Sequence, residues 1–243
     1  MIDAVLGGAR WVHIVAGGIG LLMFWIPVFS KKGGSAHRRF GQGFKWSAYV
    51  SVGAAGAIIA VRWIEATTLG ITPRDDVDQY GFLVFLGYLA FVTLVIVRHG
   101  VGVLDHKADL TGMDRPLDRG LAWGSIAASL ALLGYALYYQ PAMRWALIGL
   151  SPVGVIVGKG IVDAISGRLE GRGTWLTEHL GAMLGAGIAF HTAFGVFGSA
   201  RLIDFESGSL LSIAPWILPT LVGVPASALL TRKYLPKRKA ASG

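Results

Sequence analysis

Seven long apolar runs constrain this chain more than any other feature of its sequence. Each run holds few charged side chains, and each is close to the about 20 apolar residues that a helix needs to cross roughly 30 Å of hydrocarbon. We therefore predict an all-α fold, an integral membrane bundle of seven transmembrane helices. The predicted spans are residues 11–30, 46–64, 79–97, 120–140, 145–163, 177–199 and 208–231.

The composition excludes several other classes of protein. Charged residues make up 15% of the chain, whereas an ordinary soluble domain carries about 25%. Hydrophobic residues make up 53%, which excludes a disordered chain. Because the chain has no cysteine, a disulfide framework and a cysteine-based zinc finger are excluded as well. No linker or shift in composition divides the sequence, and we predict a single transmembrane domain over residues 1–243.

The basic residues predict the orientation of the spans, because segments rich in lysine and arginine stay on the cytoplasmic side. With the amino terminus outside and the carboxyl terminus in the cytoplasm, only Arg10, Arg62, Arg74, Arg144 and Arg201 lie outside. The cytoplasmic set is Lys31, Lys32, Arg38, Arg39, Lys45, Arg98, Lys107, Arg115, Arg119, Lys159, Arg168, Arg172, Arg232, Lys233, Lys237, Arg238 and Lys239. The predicted outer loops carry acids, which are Glu65, Asp75, Asp76, Asp78, Asp204 and Glu206. Since the cations flank spans and form a tail, we expect membrane lipids, not nucleic acid, as their partners.

Glycine, proline and one short connection predict local features of the helices. Gly181 and Gly185 are four residues apart, which places two bare patches on one helix face and favours close helix packing, or leaves room for a flat cofactor. Other span glycines are Gly17, Gly18, Gly20, Gly53, Gly56 and Gly187. The prolines of the last span, Pro215, Pro219 and Pro225, predict a kinked helix. Residues 140–144 are the whole connection between the fourth and fifth spans, which predicts a tight antiparallel hairpin.

The histidines are the first candidates for a functional site, because ionisable groups in a span are costly. His13 and His191 fall near the predicted outer face, and they form one candidate pair of axial ligands for haem b. His179, at the inner face, pairs with His37 or His99, or with Met183 as a soft axial ligand. His179 and His191 are 12 residues apart, which separates them by about 18 Å and about 120° around the helix. One helix therefore does not present both on one face.

Two other interpretations compete with haem. A metal centre at the inner face would use His37, His179 and Glu178 with His99 or His106, and an open coordination position would make a hydrolase. On the sequence alone, His37, His99 and His106 fall in cytoplasmic loops. The structural alternative is that the histidines cap helices, bond to backbone carbonyls or meet lipid phosphates.

Three motifs resemble those of a family of uncharacterised bacterial multi-pass membrane proteins. The first span begins with His13-x-x-x-Gly17, and a loop with Lys32, Gly33, Gly34, His37, Arg38 and Gly41 follows it. A late span carries Glu178, His179 and Met183, followed by Thr192, Ala193 and Phe194. The resemblance implies a multi-pass architecture and a shortlist of residues, in which the position of His191 is usually apolar. It implies no reaction.

The sequence leaves three functional classes open for a multi-pass protein of the bacterial inner membrane. The first is a redox protein that holds b-type haem and exchanges electrons with a quinone or a partner. The second is a non-catalytic accessory or assembly subunit of a larger membrane complex of the respiratory or photosynthetic type. The third is a metal-dependent intramembrane hydrolase, and only this class makes the protein a hydrolytic enzyme.

Overall fold

A computed structural model confirms the all-α fold. It describes residues 2–169, 171, 173–198 and 210–235, and this part of the chain contains helices and no strand. The helices are α1 (Ile2–Phe29), α2 (Ser35–Thr68), α3 (Val77–Gly102), α4 (Pro116–Tyr139), α5 (Arg144–Leu150), α6 (Pro152–Ile165), α7 (Thr174–Ala193) and α8 (Leu210–Tyr234). A 3₁₀ turn covers Leu110–Met113, and a π-helical turn covers Phe194–Gly198.

Within the described residues, seven helical segments are long and apolar enough to cross a membrane, which confirms the predicted number of spans. The fifth segment combines α5 with α6, and the sixth combines α7 with the π-helical turn. The orientation of the spans and the kink of the last one stay predictions. Several predicted features lie outside the described residues: Arg172, Arg201, Asp204, Glu206, Lys237, Arg238, Lys239, and the ends of the last two spans at 199 and 208–209.

The chain divides into two compact units. The first combines the residues up to Val95 with Pro116–Val162, and the second combines Ile96–Arg115 with the residues from Asp163 onward. The single domain predicted from the sequence stays a prediction.

In the first unit, α1 and α2 form an antiparallel hairpin. Residues 30–34 connect them, and the left-handed conformation of Gly33 (φ 73°) lets the chain reverse there. Gly43 lies directly against the sulfur of Met23, where no Cβ would fit. The rings of Phe24 and Phe44 are buried, with their centroids 5.5 Å apart. The absence of a side chain at Gly43 lets the two helices approach closely, and the contact between Phe24 and Phe44 stabilises them near their connection.

Helices α4 and α6 approach each other closely at Gly154 and Gly158. A Cβ at Gly154 would lie 2.6 Å from the carbonyl oxygen of Ser125, and one at Gly158 would lie against the carbonyl oxygen of Ala122. Such distances are shorter than real carbon contacts, so only glycine allows this approach. In a bilayer, where lipid tails compete equally for apolar surface, close van der Waals packing is the main source of helix association.

The predicted fifth span, 145–163, is broken at Ser151, and Tyr88 of α3 fills the break. Pro152 has no N–H to give the carbonyl of Ile148, and the hydroxyl of Ser151 donates to that carbonyl instead, at 2.9 Å. The hydroxyl of Tyr88 accepts from the N–H of Gly154 at 2.8 Å and lies 2.9 Å from the carbonyl of Leu150, to which it donates. A tyrosine hydroxyl is therefore inserted into the helical hydrogen-bond ladder. The N–H of Gly154 and the carbonyls of Ile148 and Leu150 each gain a side-chain partner in this way.

In the second unit, α7 and α8 pack against each other. Gly223 lies against Ile188, and the ring of Phe197 meets Trp216 edge-on with centroids 6.1 Å apart. The close packing predicted at Gly181 and Gly185 is not formed among the described residues. A Cβ at Gly181 would meet nothing within 4 Å, and one at Gly185 would make an ordinary contact of 3.9 Å with Ile96. The sequence shows the spacing of the two glycines, but it does not show whether another helix packs against them.

Candidate functional site

His13 joins α1 to α2 through Ser51. The Nδ1 atom of His13 donates to the carbonyl of Ser51 at 2.9 Å, and the hydroxyl of Ser51 lies 3.3 Å from the carbonyl of His13, to which it donates. Gly17 lies one turn further along α1, and a Cβ there would touch the same hydroxyl at 3.4 Å. The His13-x-x-x-Gly17 motif is thus explained by one helix contact. The histidine makes the bond, and the glycine gives it room.

Lys32 and His37 cap the carboxyl end of α1. The last carbonyls of a helix have no partner within it, and Lys32 Nζ donates to the carbonyls of Pro27, at 2.7 Å, and Val28. His37 Nδ1 donates to the carbonyl of Pro27 at 3.1 Å. A cation at this end also interacts favourably with the helix dipole. His37 lies in the first turn of α2 and not in a loop as predicted, because α2 begins at Ser35.

In the second unit, His99 and Glu178 form a buried pair between the end of α3 and the start of α7. Their Nε2 and Oε2 atoms are 2.8 Å apart, and the two side chains are 7% and 20% exposed. His99 Nδ1 is buried and has no hydrogen-bond partner among the described residues. A carboxylate oxygen accepts, so the contact with Glu178 is a hydrogen bond that His99 donates from Nε2. The prediction that His99 lies in a loop is wrong, because α3 continues to Gly102.

His179 and His106 cap the same end of α3. His179 Nδ1 donates to the carbonyl of Gly100 at 2.7 Å, and His106 Nδ1 donates to that of Gly102 at 3.1 Å. Met183 lies one turn after His179, and its methyl group would be 2.5 Å from a Cβ at Gly100. Glu178, His179 and Met183 are therefore the residues through which α7 meets α3. His191 Nδ1 donates to the carbonyl of Gly187, one turn earlier in its own helix, at 2.7 Å.

Among the described residues, no group of three or more histidine, aspartate or glutamate side chains is arranged to hold a metal ion. Of the residues predicted as metal ligands, His99, His106, Glu178 and His179 lie in the second unit and His37 lies in the first. Two of the predicted haem pairs, His13 with His191 and His37 with His179, also combine residues of different units, whereas His179 lies in the same unit as its other predicted partners, His99 and Met183. The haem and metal assignments stay predictions.

Asp109, in the segment between α3 and α4, serves local structure. Asp109 accepts hydrogen bonds from the hydroxyl of Thr111 at 2.7 Å and from its N–H at 2.9 Å, which caps the 3₁₀ turn. These bonds, with a smaller contribution from His106, hold the pKa of Asp109 below its usual value. The carboxylate therefore stays ionised and exposed at neutral pH.

One face of α2 remains uncovered within the described residues. Its exposed positions include Gly53, Gly56, Ala57 and Ala60, which we call the small-residue face. A Cβ at Gly53 or Gly56 would meet nothing within 4 Å. In the most apolar 18-residue stretch of each helix, 11% of the residues are buried in α2 and 56% are buried in α3. The spacings Gly53-x-x-x-Ala57 and Gly56-x-x-x-Ala60 were the sequence signal for this face, and the two alanines were missed.

The helices and their polar contacts define a multi-pass membrane protein in which each of the six histidines makes a hydrogen bond to another residue of the chain. No protein-family model, curated protein or solved structure matches the chain. The family resemblance based on the motifs of His13, His37 and Glu178 therefore stays a prediction.

Proposed function

We propose that the protein is a non-catalytic accessory or assembly subunit of a larger complex in the bacterial inner membrane. On this proposal, the small-residue face of α2 packs against a transmembrane helix of another subunit. The observation that carries the proposal is that Gly53 and Gly56 are exposed, with open space where their side chains would be.

A glycine inside a helix costs about 0.5–1 kcal/mol relative to alanine. At Gly43, Gly154 and Gly158, the protein's own packing offsets this cost, because a neighbouring atom occupies the space. At Gly53 and Gly56, no neighbour among the described residues does so. Small residues let helix backbones approach closely in membranes. A partner helix would therefore use the space that α2 leaves open.

The α1–α2 hairpin supplies a firm support for such a face. The contact between His13 and Ser51 and the packing of Gly43 on Met23 fix α2 from the side of α1. Bulky exposed side chains, Trp46 and Val50 before the face and Ile64 after it, border the flat region. This combination suits a helix that crosses α2 near Ala57.

Cysteine cross-linking tests the proposal directly, because the chain has no cysteine of its own. Gly53→Cys and Ala57→Cys each place one thiol on the small-residue face, and Leu130→Cys places one on an exposed part of α4 as the matched control. With a short membrane-permeant maleimide–diazirine reagent, whose maleimide alkylates the introduced thiol and whose photogenerated carbene inserts into any neighbouring C–H or X–H bond, we expect the first two variants to cross-link to the same transmembrane protein in native membranes. The control should not.

A second measurement quantifies the interaction. Gly53→Leu should lower the amount of that partner recovered with the purified protein at least tenfold, while the thermal transition of the isolated protein is not lowered. Cross-linking that is equal at Leu130→Cys would overturn the proposal. So would cross-linking only to a second copy of the chain, or partner recovery unaffected by Gly53→Leu.

A redox function with haem b is the second candidate, and the bond of His13 favours it. A backbone carbonyl only accepts, so the bond to Ser51 places the proton on Nδ1 and leaves the lone pair on Nε2. Axial histidines are commonly oriented in this way. If haem is bound, the oxidised and dithionite-reduced absorption spectra show a b-type α-band, which His13→Ala abolishes and Ser51→Ala retains. A spectrum without visible bands in a sample without bound metal would exclude this candidate.

A further inference from the structure

An apolar groove runs along the outside of the α1–α2 hairpin. Its volume is about 540 Å³, and Ser47 contributes the only hydroxyl group among its lining residues. Along α1 the groove extends from Trp11 to Ile19, eight residues, which corresponds to about 12 Å. Its lining residues are Trp11, Val12, Val15, Ala16, Ile19, Trp46, Ser47 and Val50. This shape and lining suit one extended hydrocarbon chain.

Cations lie at the end of the groove that is nearer the connection between the two helices. Lys45 Nζ is 4.5 Å from the centre of the Trp46 ring, and that ring lines the groove. Arg39 is exposed and precedes Trp46 by seven residues, or two helical turns, so it lies on the same face of α2. An apolar channel therefore leads to a cationic end.

No acid balances these cations on the hairpin. Between Asp3 and Glu65 the sequence contains no aspartate or glutamate, while Lys31, Lys32, Arg38, Arg39 and Lys45 lie around the connection. Helix α2 has 34 residues and measures about 51 Å, which exceeds the roughly 30 Å of hydrocarbon in a bilayer. Helix α2 is therefore longer than the hydrocarbon layer is thick.

We propose that the hairpin binds one anionic phospholipid, with an acyl chain in the groove and the phosphate between Arg39 and Lys45. The apolar groove matches the acyl chain of such a lipid, and the cations at the end of the groove match its phosphate. Arg39 and Lys45 lie between the connection and Trp46, so the phosphate lies on the connection side of the groove and the acyl chain runs from there toward Trp11. The site adjoins the small-residue face but does not depend on the proposed partner.

Native mass spectrometry of the purified protein measures this binding. The probes are dioleoylphosphatidylglycerol and dioleoylphosphatidylcholine, titrated separately into the detergent-solubilised protein. A cation near an anionic headgroup contributes about 1 kcal/mol, so removing two cations converts to a loss of roughly thirty-fold in affinity. We expect that loss for phosphatidylglycerol in the double variant Arg39→Gln with Lys45→Gln. The matched control, Arg115→Gln with Arg119→Gln, removes two cations that are not part of the hairpin and should bind as the wild type does.

A variant of the groove tests the other half of the site without changing charge. Ser47→Phe fills the space for the chain and should weaken binding of phosphatidylglycerol at least tenfold, with the thermal transition retained. Equal wild-type affinity for the two lipids would overturn the proposal, as would an equal loss in the Arg115 and Arg119 control. Unchanged binding by Ser47→Phe would remove the groove from the site. These outcomes leave the cross-linking at Gly53 and Ala57 unaffected, so the two proposals fail separately.

Discussion

Glycine serves opposite purposes in α6 and α2. In α6, Gly154 and Gly158 face α4 so closely that carbonyl oxygens of Ser125 and Ala122 occupy the space of their side chains. In α2, Gly53 and Gly56 face open space and are exposed. Both pairs lie in the first unit and within segments apolar enough to span a membrane. The position of the neighbouring helix distinguishes the two cases, whereas the apolar composition of the spans does not.

The difference matters for function because a glycine in a transmembrane helix can indicate either close packing within the protein or a contact with another subunit. A glycine that is used within the protein explains stability, and nothing more is needed to account for it. A glycine that the protein's own packing does not use is a cost that an outside contact can offset. The contrast therefore carries the proposal that α2 meets another subunit, and substitutions at the two places can break or sharpen it.

Gly158→Ala should have the largest effect. The new methyl group would lie against the carbonyl of Ala122 and 2.7 Å from Ile126, so α4 and α6 must separate. Overpacking of this kind costs about 2–3 kcal/mol. Gly160→Ala is the matched control, because a Cβ there meets nothing within 4 Å and the two positions share a helix. Reversible unfolding in mixed micelles gives the free energy of unfolding, and similar values for the two variants would contradict the close approach.

Tyr88→Phe should have the next largest effect, since it removes the hydroxyl that fills the break between α5 and α6. The N–H of Gly154 and the carbonyl of Leu150 then lose their shared partner. A buried polar group without a partner costs about 1–3 kcal/mol, and partial closure of the helical ladder places the expected loss near the lower value. The same unfolding measurement on Tyr138→Phe, at an exposed hydroxyl, supplies the control. An unaltered free energy of unfolding for Tyr88→Phe would show that the break closes by itself.

The sequence predicted the seven spans because membrane crossing depends on length and hydropathy, which are properties of a single segment. It did not predict the break at Ser151, since the hydroxyl that compensates it comes from Tyr88, 63 residues earlier. Likewise, His99 was placed in a loop because apolar content falls near Arg98, while α3 continues to Gly102 and pairs His99 with Glu178. The motifs of His13 and His37 identified residues that matter, but their roles as helix contacts and caps depended on carbonyls of Ser51 and Pro27. The sequence did not predict these hydrogen bonds, because each depends on which distant segments the fold brings together.

Gly53→Ala should have the smallest effect, and its sign is the informative part. The methyl group enters open space and the helix loses an unfavourable glycine, so the isolated protein should gain about 0.5–1 kcal/mol. In the assembled complex the same methyl group separates α2 from its partner, and recovery of the partner should fall. Gly56→Ala is the internal repeat on the same face. A substitution that strengthens the isolated protein and weakens the complex is expected only where glycine serves an outside contact. If Gly53→Ala instead destabilises the isolated protein as Gly158→Ala does, the small-residue face is covered within the chain itself, and the proposed subunit interface is wrong.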